Sequence, residues 1–267
     1  MVDLIVCGAA GRMGGALIRV VRETPGVRLV AAVDRPGSAR VGKDAGELVG
    51  MGRLGVPVTE GIPPGLKGEA VVIDFSRPDA SVGYLGEAAA KGLPIVIGTT
   101  GFSDEQWREI KRLSRRTRAL VAPNMSIGIN LLLGLVGPVA RALGEEFDVE
   151  IVEVHHRFKK DAPSGTALAL GRALAAALKR ELDRVGVFGR KGIVGERDKK
   201  EIGIMSLRAG DVVGEHSVIF GGLGERLEFV HRAHSRETFA RGAVRAAQWI
   251  VRQKKGLYSM QDVLKLQ

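Results

Sequence analysis

The stretch "EVHHRFKKDAPSGTALALG" (153–171) sets two of the chain's five histidines side by side, then two lysines, then a Ser-Gly-Thr turn opening an apolar helix. Imidazole titrates near neutrality, so His155 or His156 can hold and release a proton during turnover. Lys159 and Lys160 can bind a carboxylate or supply a proton. Ser164, Gly165 and Thr166 head the helix, where first-turn amides and the helix dipole favour an anion, and Pro163 sets off the chain before it. Taken singly, such a histidine is more often structural and such a lysine more often solvated. Gathered within a dozen residues, they describe a site that binds a carboxylate and protonates its ligand. On a regular strand the two histidines would point to opposite faces, whereas at a strand's end the chain can turn and bring both to one cleft.

A second constellation lies at the N-terminus. In "CGAAGRMGG" (7–15) Gly8, Gly11 and Gly14 form G-x-x-G-x-x-G directly after an apolar run, with Ala9, Ala10, Arg12 and Met13 between them. Glycines there permit a tight turn and close backbone approach, and the helix start offers amides to a pyrophosphate. Asp34 lies twenty residues after Gly14, where an acidic side chain would hold adenosine ribose hydroxyls. Arg35 beside it is suited to the extra phosphate of NADP, so NADH and NADPH are both open. "GTTG" (98–101) and "APNMS" (122–126) end two further apolar runs, the edge of an open parallel sheet where ligands bind.

These residues need a scaffold. Strands are expected at 3–8, 27–34, 69–76, 93–100 and 119–124, with helices at 12–23, 79–92 and 103–116 between them. Continuous apolar strands alternating with helices imply a parallel sheet covered on both faces, and Ser103 with Gln106 fits a capping box. After a helix at 127–146 and a strand at 148–156, a helix is expected at about 164–182. Strand-like runs joined by glycine turns follow, which suggests antiparallel pairing in a mixed second domain. Phe239, Ala243, Ala246 and Ile250 give the helix at 235–251 an apolar side that could return to the first domain. The expected division is 1–126 with 236–267, against 127–235.

At 267 residues, with 45% hydrophobic and 26% charged residues, the chain reads as a globular protein of one large or two modest domains. No apolar run approaches the roughly 18 residues needed to span a bilayer, and the N-terminus lacks the basic flank of a signal peptide. The single cysteine, Cys7, cannot form an internal disulfide, which favours a reducing, cytoplasmic setting, and its neighbours make it a core residue. The net charge of +10 is scattered, aromatics are 4%, and neither a helix-turn-helix nor a zinc pattern is visible, which argues against nucleic acid and against a metal site. A polyanionic cofactor and an anionic substrate would account for excess positive charge near a cleft.

"EVHHRFKKDAPSGTA" (153–167) resembles the signature of the 4-hydroxy-tetrahydrodipicolinate reductase (dihydrodipicolinate reductase) family of lysine biosynthesis. "GAAGRMG", "DFSRP", "VIGTTGF", "APNMSIGIN", "RAGDVVGEH" and "HRAHSRETFARGA" extend the resemblance along nearly the whole chain. It implies a Rossmann-type NAD(P)H domain, a mixed α+β substrate domain whose open sheet builds a homotetramer, and reduction of a cyclic dicarboxylate with loss of water. By motif position, Gly8 to Met13 would wrap the pyrophosphate, and Asp34 and Arg35 would meet the adenosine ribose. Gly98, Thr99 and Thr100, with Ala122, Pro123, Asn124 and Met125, would line the nicotinamide side. His155 would donate the proton, with Lys159 as second donor or carboxylate partner. His156, Ser164, Gly165 and Thr166 would hold the substrate carboxylates. The sequence departs from some relatives at Met125, an aromatic there, and at Asp34, a glutamate there. Two rivals remain: another two-domain NAD(P)-dependent oxidoreductase acting on a small carboxylate, and a nucleic-acid-binding redox sensor. The first leaves the histidine pair unexplained.

Overall fold

A computed structural model describes residues 1–66 and 70–266. Glu69, at the head of the expected strand 69–76, and Gln267, at the end of the expected segment 236–267, lie outside the described residues. The chain begins β1 (Val2–Cys7), α1 (Arg12–Glu23), β2 (Val27–Val33), a short α2 (Ala45–Leu48) and β3 (Val58–Thr59). It continues through β4 (Val71–Asp74), α3 (Pro78–Lys91), β5 (Ile95–Ile97), α4 (Asp104–Ser114) and β6 (Arg118–Val121). Next come α5 (Ile127–Leu143), β7 (Asp148–His155), α6 (Gly165–Ala177), α7 (Leu182–Val185), β8 (Gly186–Val187) and β9 (Ile202–Arg208). β10 (Gly214–Gly221), β11 (Arg226–Ala233), α8 (Glu237–Ile250), β12 (Gly256–Tyr258) and α9 (Met260–Leu264) complete it.

The chain divides into two compact units, one of Met1–Ile127 with Arg236–Lys265, the other built on Gly128–Ser235. In the first, seven parallel strands run in the order β12-β6-β5-β4-β1-β2-β3. The order reverses between β1 and β4, so the loop after β1 sits at the switch point where open α/β sheets bind ligands. The central strands bury every residue of Leu4–Cys7 and of Val71–Asp74, as two-sided cover requires. On one face lie Leu17, Ile18 and Val21 of α1 with Ala240, Ala243 and Ala247 of α8; on the other, Leu85 of α3 and Ile110 of α4. Small residues on α8 let it lie close to the sheet, and Arg241 fastens it to Glu23 of α1 at 2.9 Å. Cys7 is buried and unpaired with any other cysteine. Ser103 and Gln106 form the expected reciprocal capping box of α4.

The second unit carries a five-stranded mixed sheet in the order β11-β10-β7-β9-β8. The expectation of simple antiparallel succession is corrected here. β10 and β11 form an antiparallel hairpin and β10 pairs antiparallel with β7, but β9 lies on the far side of β7, parallel to it. Strand β7, helix α6 and strand β9 therefore form a crossover unit, which the glycine-rich sequence after α6 conceals. The long helix expected at 164–182 is also shorter, because Lys179 at φ +57° breaks it after Ala177 and Leu182–Val185 forms a separate turn. Val149, Ile151, Val218, Phe220, Ile202 and Ile204 share the face that packs on Leu170 and Leu174 of α6. The opposite face carries Val152, Val154, Met205, Leu207, Ile219 and Val230, of which Leu207 and Val230 are exposed.

Helix α5 corrects the reading of apolar run length. With its 3-10 continuation it forms a 20-residue helix, Ile127–Glu146, long and apolar enough to cross a bilayer by length and composition. Leu132, Val136 and Ala140 pack in the second unit's core, while Leu131 and Leu135 are exposed.

Candidate functional site

In the first unit, β1 runs into Gly8 at φ +69°, a left-handed conformation that glycine adopts without strain. The Gly11 amide donates to the Gly8 carbonyl at 2.9 Å and closes the turn. Gly11 then caps α1 with no side chain to compete for the first-turn amides. A Cβ on Gly14 would overlap the Gly8 carbonyl and the Ala9 backbone, so the helix can start this close to the loop only with glycine. Ala10 and the exposed Arg12 border a recess of about 260 Å³ beside this turn. Met13 packs partly buried against the core and Ala9 is buried. At the end of β2 the Asp34 carboxylate accepts from the Arg35 amide at 2.9 Å and from the Ser38 hydroxyl at 2.7 Å. The Arg35 side chain is exposed.

The expected nicotinamide-side residues divide by which of their atoms a ligand can use. Gly98 donates its amide to the Asp74 carbonyl at 2.8 Å, and a Cβ there would overlap the Phe75 ring. Thr99 turns its side chain inward: its hydroxyl lies 2.8 Å from that of Ser81, and both close on the buried carboxylate of Asp74. Burial pushes the Asp74 carboxyl up, against hydrogen bonds from Ser76, Ser81 and Thr99. This leaves the backbone of Thr99 as the part able to serve a ligand. Thr100 and Pro123 are exposed, while the side chains of Ala122 and Met125 belong to the core. Asn124 accepts from the Ser126 amide at 2.8 Å, shaping the turn before α5.

In the second unit the sheet face that packs on α6 becomes polar at the C-terminal ends of β7 and β9. Glu153, fully buried, is the hub. Its carboxylate accepts Nδ1–H of His155 at 2.5 Å, the Ser164 amide at 3.1 Å, and a two-pronged Arg208 guanidinium at 2.9 and 3.0 Å. Burial alone would raise the Glu153 pKa, but Arg208 and His155 outweigh it and hold the carboxyl below its usual range. His155 is lowered by burial, more than the Glu153 pair raises it, and the Lys159 ammonium also opposes its protonation. His216 stacks edge-on against His155 with ring centres 5.2 Å apart and lies 3.0 Å from the Ser164 hydroxyl, which itself caps α6 at Ala167. Burial, then the charge of His155, push His216 down to about 3.

Of the residues expected to act together, the fold joins His155 and Ser164 through Glu153, and sets Lys159 where its charge acts on His155. Gly165, exposed, and Thr166 follow Ser164 in the first turn of α6. Lys159 is held by both carboxylate oxygens of Asp161, at 2.9 and 3.0 Å. His156 follows the end of β7, with its ring tilted against Phe158 at 6.2 Å and its buried Nδ1 without a hydrogen-bond partner among the described residues. Among the described residues no three His, Cys, Asp or Glu side chains gather as metal ligands would.

Residues 2–125 match the family described as dihydrodipicolinate reductase, N-terminus, and residues 128–264 match dihydrodipicolinate reductase, C-terminus. The chain belongs to the dihydrodipicolinate reductase family. A 4-hydroxy-tetrahydrodipicolinate reductase of Syntrophus aciditrophicus (strain SB) is 51% identical over 264 residues, covering 99% of this chain and 98% of that one. The enzyme of that name in Citrifermentans bemidjiense is 49% identical over 266 residues and covers both chains fully. Among solved structures, a dipicolinate-bound dihydrodipicolinate reductase from Paenisporosarcina sp. TG-14 matches with a TM-score of 0.73 at 25% identity, covering 98% of each chain.

Within this dihydrodipicolinate reductase fold, Glu153, Arg208 and His216 are the residues that sequence reasoning left without roles. Glu153 opens the histidine stretch, and Arg208 and His216 are the first and last residues of "RAGDVVGEH" (208–216). The signal was therefore present as a motif. What was missing was the register that sets His216 opposite Glu153 and Arg208 opposite His155.

Proposed function

We propose that the chain catalyses the NAD(P)H-dependent reduction of 4-hydroxy-tetrahydrodipicolinate to tetrahydrodipicolinate, in the diaminopimelate route to lysine. The observation that carries this reading is the Glu153–His155 pair, with Lys159 and the Ser164-capped helix at the same strand end. The glycine turn fits a dinucleotide, because its first glycine is left-handed and its third sits where no side chain fits. Bound there, a reduced nicotinamide supplies hydride.

The remaining steps belong to the chain. Lys159 exchanges Asp161 for a substrate carboxylate, and His156 with the first-turn amides of Gly165 and Thr166 engages the second. Ser164 is buried and bonded to His216, so its role is to cap the helix and set those amides rather than to reach the ligand. Burial lowers the pKa of His155 and favours its neutral form. The two substrate carboxylates then favour the imidazolium, and Glu153 stabilises it through Nδ1. The hydroxyl of the substrate leaves as water together with a proton from the neighbouring ring carbon, which forms a ring double bond, and as hydride adds to that bond Nε2 delivers the proton that completes its reduction. Gly214 keeps that side of the ring clear, because a Cβ there would stand 3.0 Å from Nε2.

The exposed Leu207 and Val230 on the outer face of the second sheet support assembly as a homotetramer, and buried Cys7 with no disulfide supports a cytoplasmic setting. A coupled assay tests the reading. The product of dihydrodipicolinate synthase, supplied with NADH or NADPH in turn, should cause loss of nicotinamide absorbance that depends on that product. No product-dependent loss with either cofactor would end the proposal.

A further inference from the structure

Asp74 is fully buried at the carboxyl end of β4, and neither the proton step nor the hydride step uses it. Among the described residues its side-chain partners are an amide and two hydroxyls, and no arginine or lysine pairs with it. Burial pushes its carboxyl up, and hydrogen bonds alone work against that. A buried acid without a cation costs stability that an apolar side chain of similar shape would not, so its presence points to something it holds in place.

What it holds comes from separate elements. Oδ1 accepts from the Ser76 amide at 3.1 Å and closes the turn that leaves the strand. Oδ2 accepts from the hydroxyl of Ser81, in the first turn of α3, and from the hydroxyl of Thr99, which follows β5, at 3.2 Å. The two hydroxyls lie 2.8 Å apart, so Ser81 braces Thr99 as well. Gly98 is fastened to the same strand end. Its amide donates to the Asp74 carbonyl at 2.8 Å, and it lies so close to the Phe75 ring that a Cβ would overlap it. Phe75 packs with the core on the α1 and α8 side, whereas Ser81 stands on α3, on the other side of the sheet. Two consecutive residues of β4's end therefore grip Gly98 and Thr99 from opposite faces.

We infer that Asp74, acting through the inward-turned hydroxyl of Thr99, is a positioning residue that fixes the Gly98–Thr100 backbone against which the nicotinamide ring lies during hydride transfer. The inference rests on the dinucleotide reading of the Gly8 turn and adds to it residues that touch no ligand. A ring held by backbone groups moves whenever that backbone moves, and a misplacement of about 1 Å can slow such a step by about 10²-fold.

Thr99→Val keeps the shape of the side chain and deletes its hydroxyl. Binding to the full chain is measured by calorimetry for NADH and for ADP-ribose, which lacks the nicotinamide, with NADPH and 2′-phospho-ADP-ribose as a second pair. In Thr99→Val the ADP-ribose affinities should stay within about twofold of the wild type. The ratio of reduced-cofactor to ADP-ribose affinity should fall by about tenfold, and turnover at saturating cofactor by about tenfold or more. Thr99→Ser, which restores the hydroxyl, should recover most of both losses. Asp74→Asn, which exchanges one acceptor oxygen for a donor, should move both readouts in the direction of Thr99→Val, and it decides the matter if Thr99→Val does not fold. An unchanged affinity ratio, undiminished turnover, or no recovery in Thr99→Ser overturns the inference while leaving dinucleotide binding intact. Failure of the wild type to bind any of the four nucleotides removes the dinucleotide reading, and this inference with it.

Discussion

Lys159 and Asp161 show how the site keeps its charges satisfied. Asp161 is held below the usual carboxylate range chiefly by its hydrogen bond from Lys159, and is itself exposed. With Asp161 open to solvent the pair is screened on that side, so a substrate carboxylate can take over the lysine at small cost. Replacement by alanine, Lys159→Ala, should therefore raise the apparent Michaelis constant by about tenfold or more and also slow turnover. Steady-state constants equal to those of the wild type would remove Lys159 from the site. The sequence made the chemistry of His155 and Lys159 legible because titratable types stand close together in the chain. It hid Glu153 as the hub, since a lone glutamate among strand residues looks like any other until the register sets Arg208 and His216 around it.

Strand β7 and helix α6 form the element on which that hub depends. Their junction carries His155, against which His216 of β10 stacks, and burial holds both below the ordinary histidine range. For His216 the consequence for stability has a definite sign. Above about pH 6.5 the ring is neutral in both states; between there and about 3 the unfolded chain takes up a proton that the folded chain refuses. Stability is thus present at neutral pH and lost on acidification, by up to about 1.4 kcal/mol per pH unit for this group. The urea midpoint should be lower at pH 5 than at pH 7.5, and His216→Gln should flatten that dependence. Equal midpoints at both pH values, or an undiminished slope in His216→Gln, would contradict it. At this scale the parallel sheet was readable, because buried strands leave long apolar runs between capped helices. The place of β9 was not: nothing in residues 202–208 distinguishes a strand paired with its chain neighbour from one returned beside β7 by α6.

At the scale of the molecule, the chain assigns different tasks to two units. The first gathers a glycine turn and Asp34 at the carboxyl edge of a parallel sheet. The second gathers Glu153, His155 and a capped helix start on a mixed sheet. The glycine spacing and the histidine stretch pointed to this division in the sequence. The central claim is that the proton comes from His155 and that the nucleotide is held independently of it. Turnover and cofactor affinity measured side by side in His155→Gln test it most directly. The expected result is a fall in turnover of about 10²–10⁴-fold, with the dissociation constant for the reduced cofactor within about twofold of the wild type. Undiminished turnover, or a loss of cofactor affinity as large as the loss of turnover, would contradict it.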